Sequence, residues 1–304
     1  MAHLEVKRHF GRADIDAVSE LLEVATEVDH HHPLDEHRWL DLVQGGREGF
    51  AGLVAWEPGH PHPVGYAQLS REPRRSGSWA LEFVVDPHHR DDDPGIGLRL
   101  VEAALDIVRE EGGGHVHMWV PKPTPLNDRI AEATGLRKGR QLLQMRRPLP
   151  VEEEPADLAV RPFIPGFDDE AWLVVNNRAF RWHDEQGGWD LETLKARQEQ
   201  DWFDPAGFLL HERNGRLAGF CWTKVHADHD PPLGEIYVVA VDPDFQGQGL
   251  GRRLVLAGLD WLWRNRIETG MLYVDRDNAP AVRLYESMGF TVDHVDQAYV
   301  GDFG

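Results

Sequence analysis

Cysteine is nearly absent: Cys221 is the only one in 304 residues, which excludes an intrachain disulfide and any zinc site built on paired cysteines. No apolar run is long enough to cross a bilayer, and the start, Met1 to Val6, alternates like a strand instead of setting a basic stretch before an apolar one. A cytoplasmic protein without secretory signal or membrane span is expected. Positive charge is scarce as well, with 32 Lys and Arg against 52 Asp and Glu and a formal net charge of −20. Such a surface repels phosphate backbones, so nucleic acid is not an expected partner, while cationic amines are attracted. A polyanionic ligand would have to be held by local backbone dipoles.

What the chain does contain is ordinary globular composition, 41% hydrophobic and 28% charged, at a length that predicts two domains. An internal repeat supports this division. Val84-Val85-Asp86-Pro87 and Ala240-Val241-Asp242-Pro243 each end an apolar strand-like run. Each is followed by a Gly-x-Gly opening a helical pattern, Gly95-Ile96-Gly97 before Leu98 to Arg109 and Gly249-Leu250-Gly251 before Arg252 to Arg264. The register persists: Gly97 to Gly135 and Gly251 to Gly289 both span 38 residues, and Gly65-Tyr66 upstream matches Gly219-Phe220. The reading is a duplicated α/β domain at residues 1–147 and 158–304, joined by a Pro- and Glu-rich linker at 148–157.

The strand ending at Val241, the loop Gln246-Gly247-Gln248-Gly249-Leu250-Gly251 and the helix behind it form an anion site, because a helix N-terminus presents unpaired N–H groups and a positive dipole end. Glycines let the backbone approach a pyrophosphate. The spacing is neither the G-x-G-x-x-G of a dinucleotide turn nor a loop ending in Gly-Lys-Ser/Thr. Downstream, Met271 to Val274 reads as a strand and Asn278 to Phe290 as a short helix and turn. Gln246, Gly249 and Gly251 match the Gln/Arg-x-x-Gly-x-Gly/Ala loop of the GNAT acetyltransferase superfamily, and Asn278, Ala281, Leu284, Tyr285, Gly289 and Phe290 match its second pattern. With both motifs in order, the chain is identified as a member by resemblance.

The resemblance implies two tandem GNAT-like α/β domains, each a mixed, mainly antiparallel twisted sheet flanked by helices. It implies acetyl-CoA as donor, with its pyrophosphate on the amides of Gln246, Gly247, Gln248, Gly249, Leu250, Gly251 and Arg252 and its pantetheine along Val239, Ala240 and Val241. Asn278, Ala279, Pro280, Ala281, Val282 and Arg283 complete the coenzyme site, and Phe83, Val84 and Val85 are their counterparts in the first half. An amine with a pKa near 7.7–8.0 is largely protonated at pH 7, so a base helps. Glu235, six residues before the strand end, stands where many members place a glutamate base, and Tyr285 resembles the tyrosine near the coenzyme sulfur. A backbone N–H near Val239 would meet the oxyanion.

The same offsets in the first half land on Trp79 and Ala131, and Asp92-Asp93-Pro94 precedes its Gly95-Ile96-Gly97. Neither offset residue can do acid–base chemistry, so the first domain is expected to be degenerate and non-catalytic. Trp182 to Trp189, Trp202 to Gly207, Gly219 to His226 and Gly234 to Val238 resemble the tandem mycothiol synthase family, which acetylates the cysteinyl amine of cysteinyl-glucosaminyl-inositol. That resemblance gives Glu36, Glu185, Lys224, Tyr273 and Glu235 as substrate-binding positions, a set suited to a polyhydroxylated amine. Asp184 and the Asp91-Asp92-Asp93 run depart from that family's pattern. An acetyltransferase for other small amines or protein N-termini, and a non-catalytic acyl-CoA sensor, remain open alternatives. No metal is expected, although His30-His31-His32, His88-His89 and His226-Ala227-Asp228-His229 have ligand chemistry. Cys221 and most of the eleven tryptophans are expected in core and pocket walls, and the protein is expected to be a monomer.

Overall fold

The computed structural model describes residues 2–72, 77–90, 95–152, 158–181 and 186–304, apart from the side chains of residues 36 and 37. Its elements run β1 (His3–Lys7), α1 (Arg12–Asp29), α2 (Glu36–Val43), β2 (Phe50–Trp56), β3 (Gly65–Arg71), β4 (Ser78–Val85), α3 (Gly95–Glu110), β5 (Gly114–Val120), α4 (Pro125–Thr134) and β6 (Arg137–Pro148). They continue with β7 (Arg161–Pro162), α5 (Asp169–Ala179), α6 (Leu191–Gln198), β8 (Phe208–Arg213), β9 (Arg216–His226), β10 (Leu233–Val241), α7 (Leu250–Arg264), β11 (Thr269–Asp275), α8 (Ala279–Ser287) and β12 (Thr291–Phe303). No helix among the described residues is long and apolar enough to cross a membrane.

Two compact units result, Met1–Leu142 with Val295–Gly304, and Leu143–His294. The first has strand order β1-β2-β3-β4-β5-β12 and the second β6-β11-β10-β9-β8-β7. In each, one pair is parallel, β4 with β5 and β10 with β11, while the other registered pairs are antiparallel. The mixed, mainly antiparallel α/β architecture expected from the sequence is present twice. The unit borders differ from the expected linker at 148–157 for a local reason. The Leu149 N–H donates to the Glu268 carbonyl at 2.8 Å, which keeps the end of β6 in the second unit. Gln297 to Phe303 pair with Val120 to Gly114, which keeps the last strand in the first. Residues 153–157 of that linker lie outside the described residues.

Helical periodicity decides where each core sits. Leu100, Val101, Ala104, Leu105 and Val108 make one buried stripe of α3, and it packs on β2, β3 and β4. Leu254, Val255, Leu259 and Leu262 do the same for α7 against β9 and β10. Each such leucine contributes on the order of 2 kcal/mol by leaving water. The opposite face of the second sheet carries an aromatic core, in which Phe208 stacks on Trp222 at 4.3 Å and Trp172 meets Phe208 edge-on at 5.6 Å. Trp79, Trp172 and Trp222 are fully buried, as expected of core tryptophans.

Candidate active site

Parallel pairing between β10 and β11 stops early. It joins Leu233, Gly234 and Glu235 to Thr269, Gly270 and Met271, yet β10 runs on to Val241 and β11 to Asp275. On its other side β10 stays paired with β9 as far as Val241 and Gly219. The two parallel strands therefore splay after Glu235, and one edge of β10, including Val239, Ala240 and Val241, is left without its strand partner. A register shift between Ile236 and Val238 puts a bulge at Tyr237, where the splay begins. An extended ligand chain can pair with such an opened edge.

The loop after β10 leads through three glycines into the first turn of α7. Asp242 caps a short turn at residues 243–245 by accepting from the Asp244 amide at 3.0 Å, and the Gln246 side chain donates to the Val241 carbonyl at 3.2 Å. Gly247 and Gly249 have φ of +76° and +71°, a left-handed backbone that favours glycine. Gly251 has no such need, and a Cβ built on Gly247, Gly249 or Gly251 meets nothing within 4 Å. Packing demands glycine at none of the three positions, nor does backbone conformation at Gly251, so the loop leaves its Cβ positions open. Leu250 then buries its side chain to start α7, whose first turn holds no acidic residue. Arg252 reaches Ser287 of α8 at 2.9 Å, and Arg213 holds Gln248 at 2.5 Å. Asn278 caps α8 by accepting from the Ala281 amide at 3.3 Å, with Pro280 in the first turn where its missing N–H costs little. Ala279, Val282 and Arg283 continue that helix.

Glu235 and Lys224 are cross-strand partners on β10 and β9. Glu235 is 6% exposed, and its Oε2 lies 2.7 Å from His226 Nε2. Lys224 places its ammonium 4.5 Å above the Trp202 ring and 5.6 Å from that of Tyr237. Tyr273 lies on the splayed part of β11, 41% exposed, and its hydroxyl accepts from Gln144 at 2.7 Å. Tyr285 lies on α8, edge-on to Phe290 at 5.9 Å. Burial, with a smaller push from the Cys221 thiol, raises its pKa to about 12, so the phenol keeps its proton across the physiological range. Cys221 is wholly buried and its thiol is pushed up to about 12 by burial, against a smaller pull from the Gly258 backbone. It is packing, as the sequence suggests, and no thiolate nucleophile forms there at neutral pH. Glu36 is the first residue of α2, with its side chain outside the described set, and Glu185 lies outside the described residues, as do Asp184 and Asp91 to Pro94.

The first unit repeats the splay without the same side chains. Pairing of β4 with β5 ends at Leu81 and Met118, and beyond it a cleft of about 210 Å³ is lined by Phe83, Val84, Val85, Arg90, Gly97 and Lys122 among others. Gly97 differs from Gly251: a Cβ there would stand 2.9 Å from Ile130 Cδ1 and 3.2 Å from Phe83, so its surroundings are packed and not open. The bulge at Tyr237 has no equivalent in β4, which shifts the count by one. By ladder register the counterpart of Glu235 is Ala80, paired with Ser70, and not Trp79. Ala80 also offers no acid–base chemistry.

Two polar residues escape sequence reasoning. His226 is one, noticed only as a metal-type histidine, although its alternation with Lys224 along β9 puts both on one face. Glu82 is the other: burial first, then the charge of Asp35, raises its pKa well above the usual carboxylate range, against a partial offset from Arg38. It accepts from the Asp35 amide at 2.9 Å, and Arg38 in turn meets Glu72 at 2.6 Å.

Comparison with known proteins agrees with this architecture. The model of the acetyltransferase (GNAT) family matches residues 15–129 and again 176–290. A mycothiol acetyltransferase of Acidimicrobium ferrooxidans is 46% identical over 288 residues, 93% of this chain and 92% of its own. One from Thermobispora bispora is 46% identical over 293 residues, 94% and 95% of the two chains. A solved GCN5-related N-acetyltransferase from Sphaerobacter thermophilus superposes with a TM-score of 0.71 at 22% identity, covering 98% of this chain and 95% of that one. The glycine loop, the strand that opens beside it and the two matches of one family model have a single explanation: this chain belongs to the acetyltransferase (GNAT) family, as a tandem member.

Proposed function

We infer that the chain transfers the acetyl group of acetyl-CoA to the cysteinyl amine of cysteinyl-glucosaminyl-inositol, the step that completes mycothiol. The observation that carries this reading is the 46% identity, over more than nine-tenths of both chains, to relatives named mycothiol acetyltransferase. The second unit is the working one. Its Gln246 to Arg252 amides hold the pyrophosphate, the opened edge at Val239 to Val241 takes the pantetheine, and residues 278–283 close the coenzyme site. Glycines that leave room for a Cβ at Gly247, Gly249 and Gly251 support this reading.

The chemistry is direct attack. Glu235 takes the proton that the amine loses as its nitrogen bonds to the thioester carbonyl carbon, and His226 at 2.7 Å holds the carboxylate in place. The oxyanion is met by a β10 amide near Val239, and its collapse breaks the C–S bond. The Tyr285 phenol gives its proton to the leaving sulfur, so amide and free CoA thiol form in equal number. Lys224, Tyr273 and Glu185 bind the hydroxyl-rich acceptor. The first unit holds a second coenzyme in the cleft at Phe83, Val84 and Val85 without turning it over, and the enzyme works as a cytoplasmic monomer.

The test is a competition among acceptors, followed by mass spectrometry. The cysteinyl pseudodisaccharide should gain one acetyl group in strong preference to peptides and aminoglycosides. Comparable turnover on those acceptors would instead assign the site to a different amine.

A further inference from the structure

We propose that the first unit holds a divalent transition-metal ion, zinc(II) being the best match, between His60, Asp86 and His89 at the end of β4. One ligand atom from each of these three residues lies within 4.8 Å of the other two. They come from two separate segments, the turn between β2 and β3 and the turn after β4, so no sequence spacing brings them together. His62 joins the cluster, its ring 4.6 Å from that of His60, while His60 and His89 are 4.9 Å apart.

Proton placement points each free lone pair inward. His60 Nδ1 donates to the His62 carbonyl at 3.0 Å, which leaves Nε2 as the coordinating atom. His89 Nε2 lies 3.0 Å from Glu57 Oε2, and in the tautomer that donates its proton there Nδ1 carries the lone pair. That carboxylate–imidazole–metal relay is how ligating histidines are commonly oriented. His89 Nδ1 is buried without a hydrogen-bond partner, although Asp86 Oδ1 is 3.3 Å away. Asp86 is fully buried; its Oδ1 accepts from the His88 amide at 2.7 Å, and its Oδ2 has no hydrogen-bond partner among the described residues. A buried lone pair facing a buried carboxylate oxygen is doubly unfavourable, and one cation removes both penalties. Two imidazoles and a carboxylate, with His62 or water in the fourth position, suit zinc at bonds of about 2.0–2.2 Å. Small rotations of the half-buried His60 and His89 rings close the remaining distance.

The second unit is the internal control. Asp242 occupies the same place after its strand, but its Oδ2 faces the Arg178 guanidinium at 3.5 Å. There a permanent cation answers the charge. In the first unit the recorded ion-pair partners of Asp86, among the described residues, are imidazoles only. The ion would staple the β2–β3 turn to residues 86–89, and His89 also lines the cleft beside Val85.

The experiment uses the full chain stripped with a chelator, titrated with zinc(II) against a chromophoric competitor, with circular dichroism confirming that each variant is folded. Wild type should bind one high-affinity equivalent and gain thermal stability by mass action. Glu57→Gln should weaken binding by about 10–100-fold, the usual loss when a partner behind a ligand is removed. His60→Ala and His89→Gln should weaken it further and abolish the zinc-dependent Tm rise, while His229→Ala, in the other histidine cluster, leaves it unchanged. Failure of wild type to compete for zinc, or equal affinity in His60→Ala and His89→Gln, overturns the proposal.

Discussion

Glu235 can serve as a base only while its carboxylate is aimed, and that aim traces to a named neighbour. His226 Nε2 meets its Oε2 at 2.7 Å and fixes its orientation, while Lys224 is its cross-strand partner on β9. Glu235→Ala should therefore reduce turnover most below about pH 8, where the acceptor amine is protonated, and a pH–rate profile showing a uniform loss would mean that Glu235 only binds. His226→Ala should lower kcat by about 10-fold with little change in KM, because misaiming a base costs less than removing it; steady-state kinetics separate the two. For Tyr285 the prediction concerns the leaving group. Tyr285→Phe should slow transfer from acetyl-CoA but much less from an acetyl thioester whose thiol is already acidic. The places of Glu235 on β10 and Tyr285 on α8 are legible in the sequence because they sit at fixed distances from glycine landmarks. The Glu235–His226 contact is not, since it depends on which face of β9 meets β10, and Ala80 replaces Trp79 as the counterpart only once the bulge at Tyr237 is seen.

The glycines divide elements by purpose. A Cβ on Gly251 meets open space, so Gly251→Val should leave the melting temperature nearly unchanged and raise KM for acetyl-CoA. A Cβ on Gly258 of α7 would lie 2.5 Å from Cys221 Sγ and 2.8 Å from Ile236 Cδ1, where helix and sheet touch. Gly258→Ala should thus cost about 1–3 kcal/mol of stability by overpacking, read from denaturant midpoints, with KM little affected. The Gly-x-Gly repeat reveals both helices in the sequence, yet it cannot tell a glycine whose Cβ position is open from one packed against its neighbours. That distinction rests on what surrounds each Cβ position, and it separates Gly251 from Gly97.

At the scale of the molecule, the repeat made two α/β domains readable, whereas the unit borders were not. The sequence has proline and glutamate at 148–157, but strand pairing decides membership, and it carries residues 143–147 and 295–304 with units other than the expected ones. Two weak acids with raised pKa also contribute to the alkaline limit. Tyr285 and Cys221 are both raised to about 12 in the folded chain, from 10.0 and 9.0. The folded state then holds more protons than the unfolded one, so stability is full below about pH 9 and falls as pH rises from there to 12. Denaturant melts across that range should show the decline. The central claim, that one site in the second unit makes an amide from acetyl-CoA with Glu235 as base, is tested most directly by following free CoA thiol on the cysteinyl pseudodisaccharide. Wild type should release one thiol per amide formed and Glu235→Gln should be slower by about 10²–10⁴-fold; no release by wild type, or equal rates in the two proteins, would contradict it.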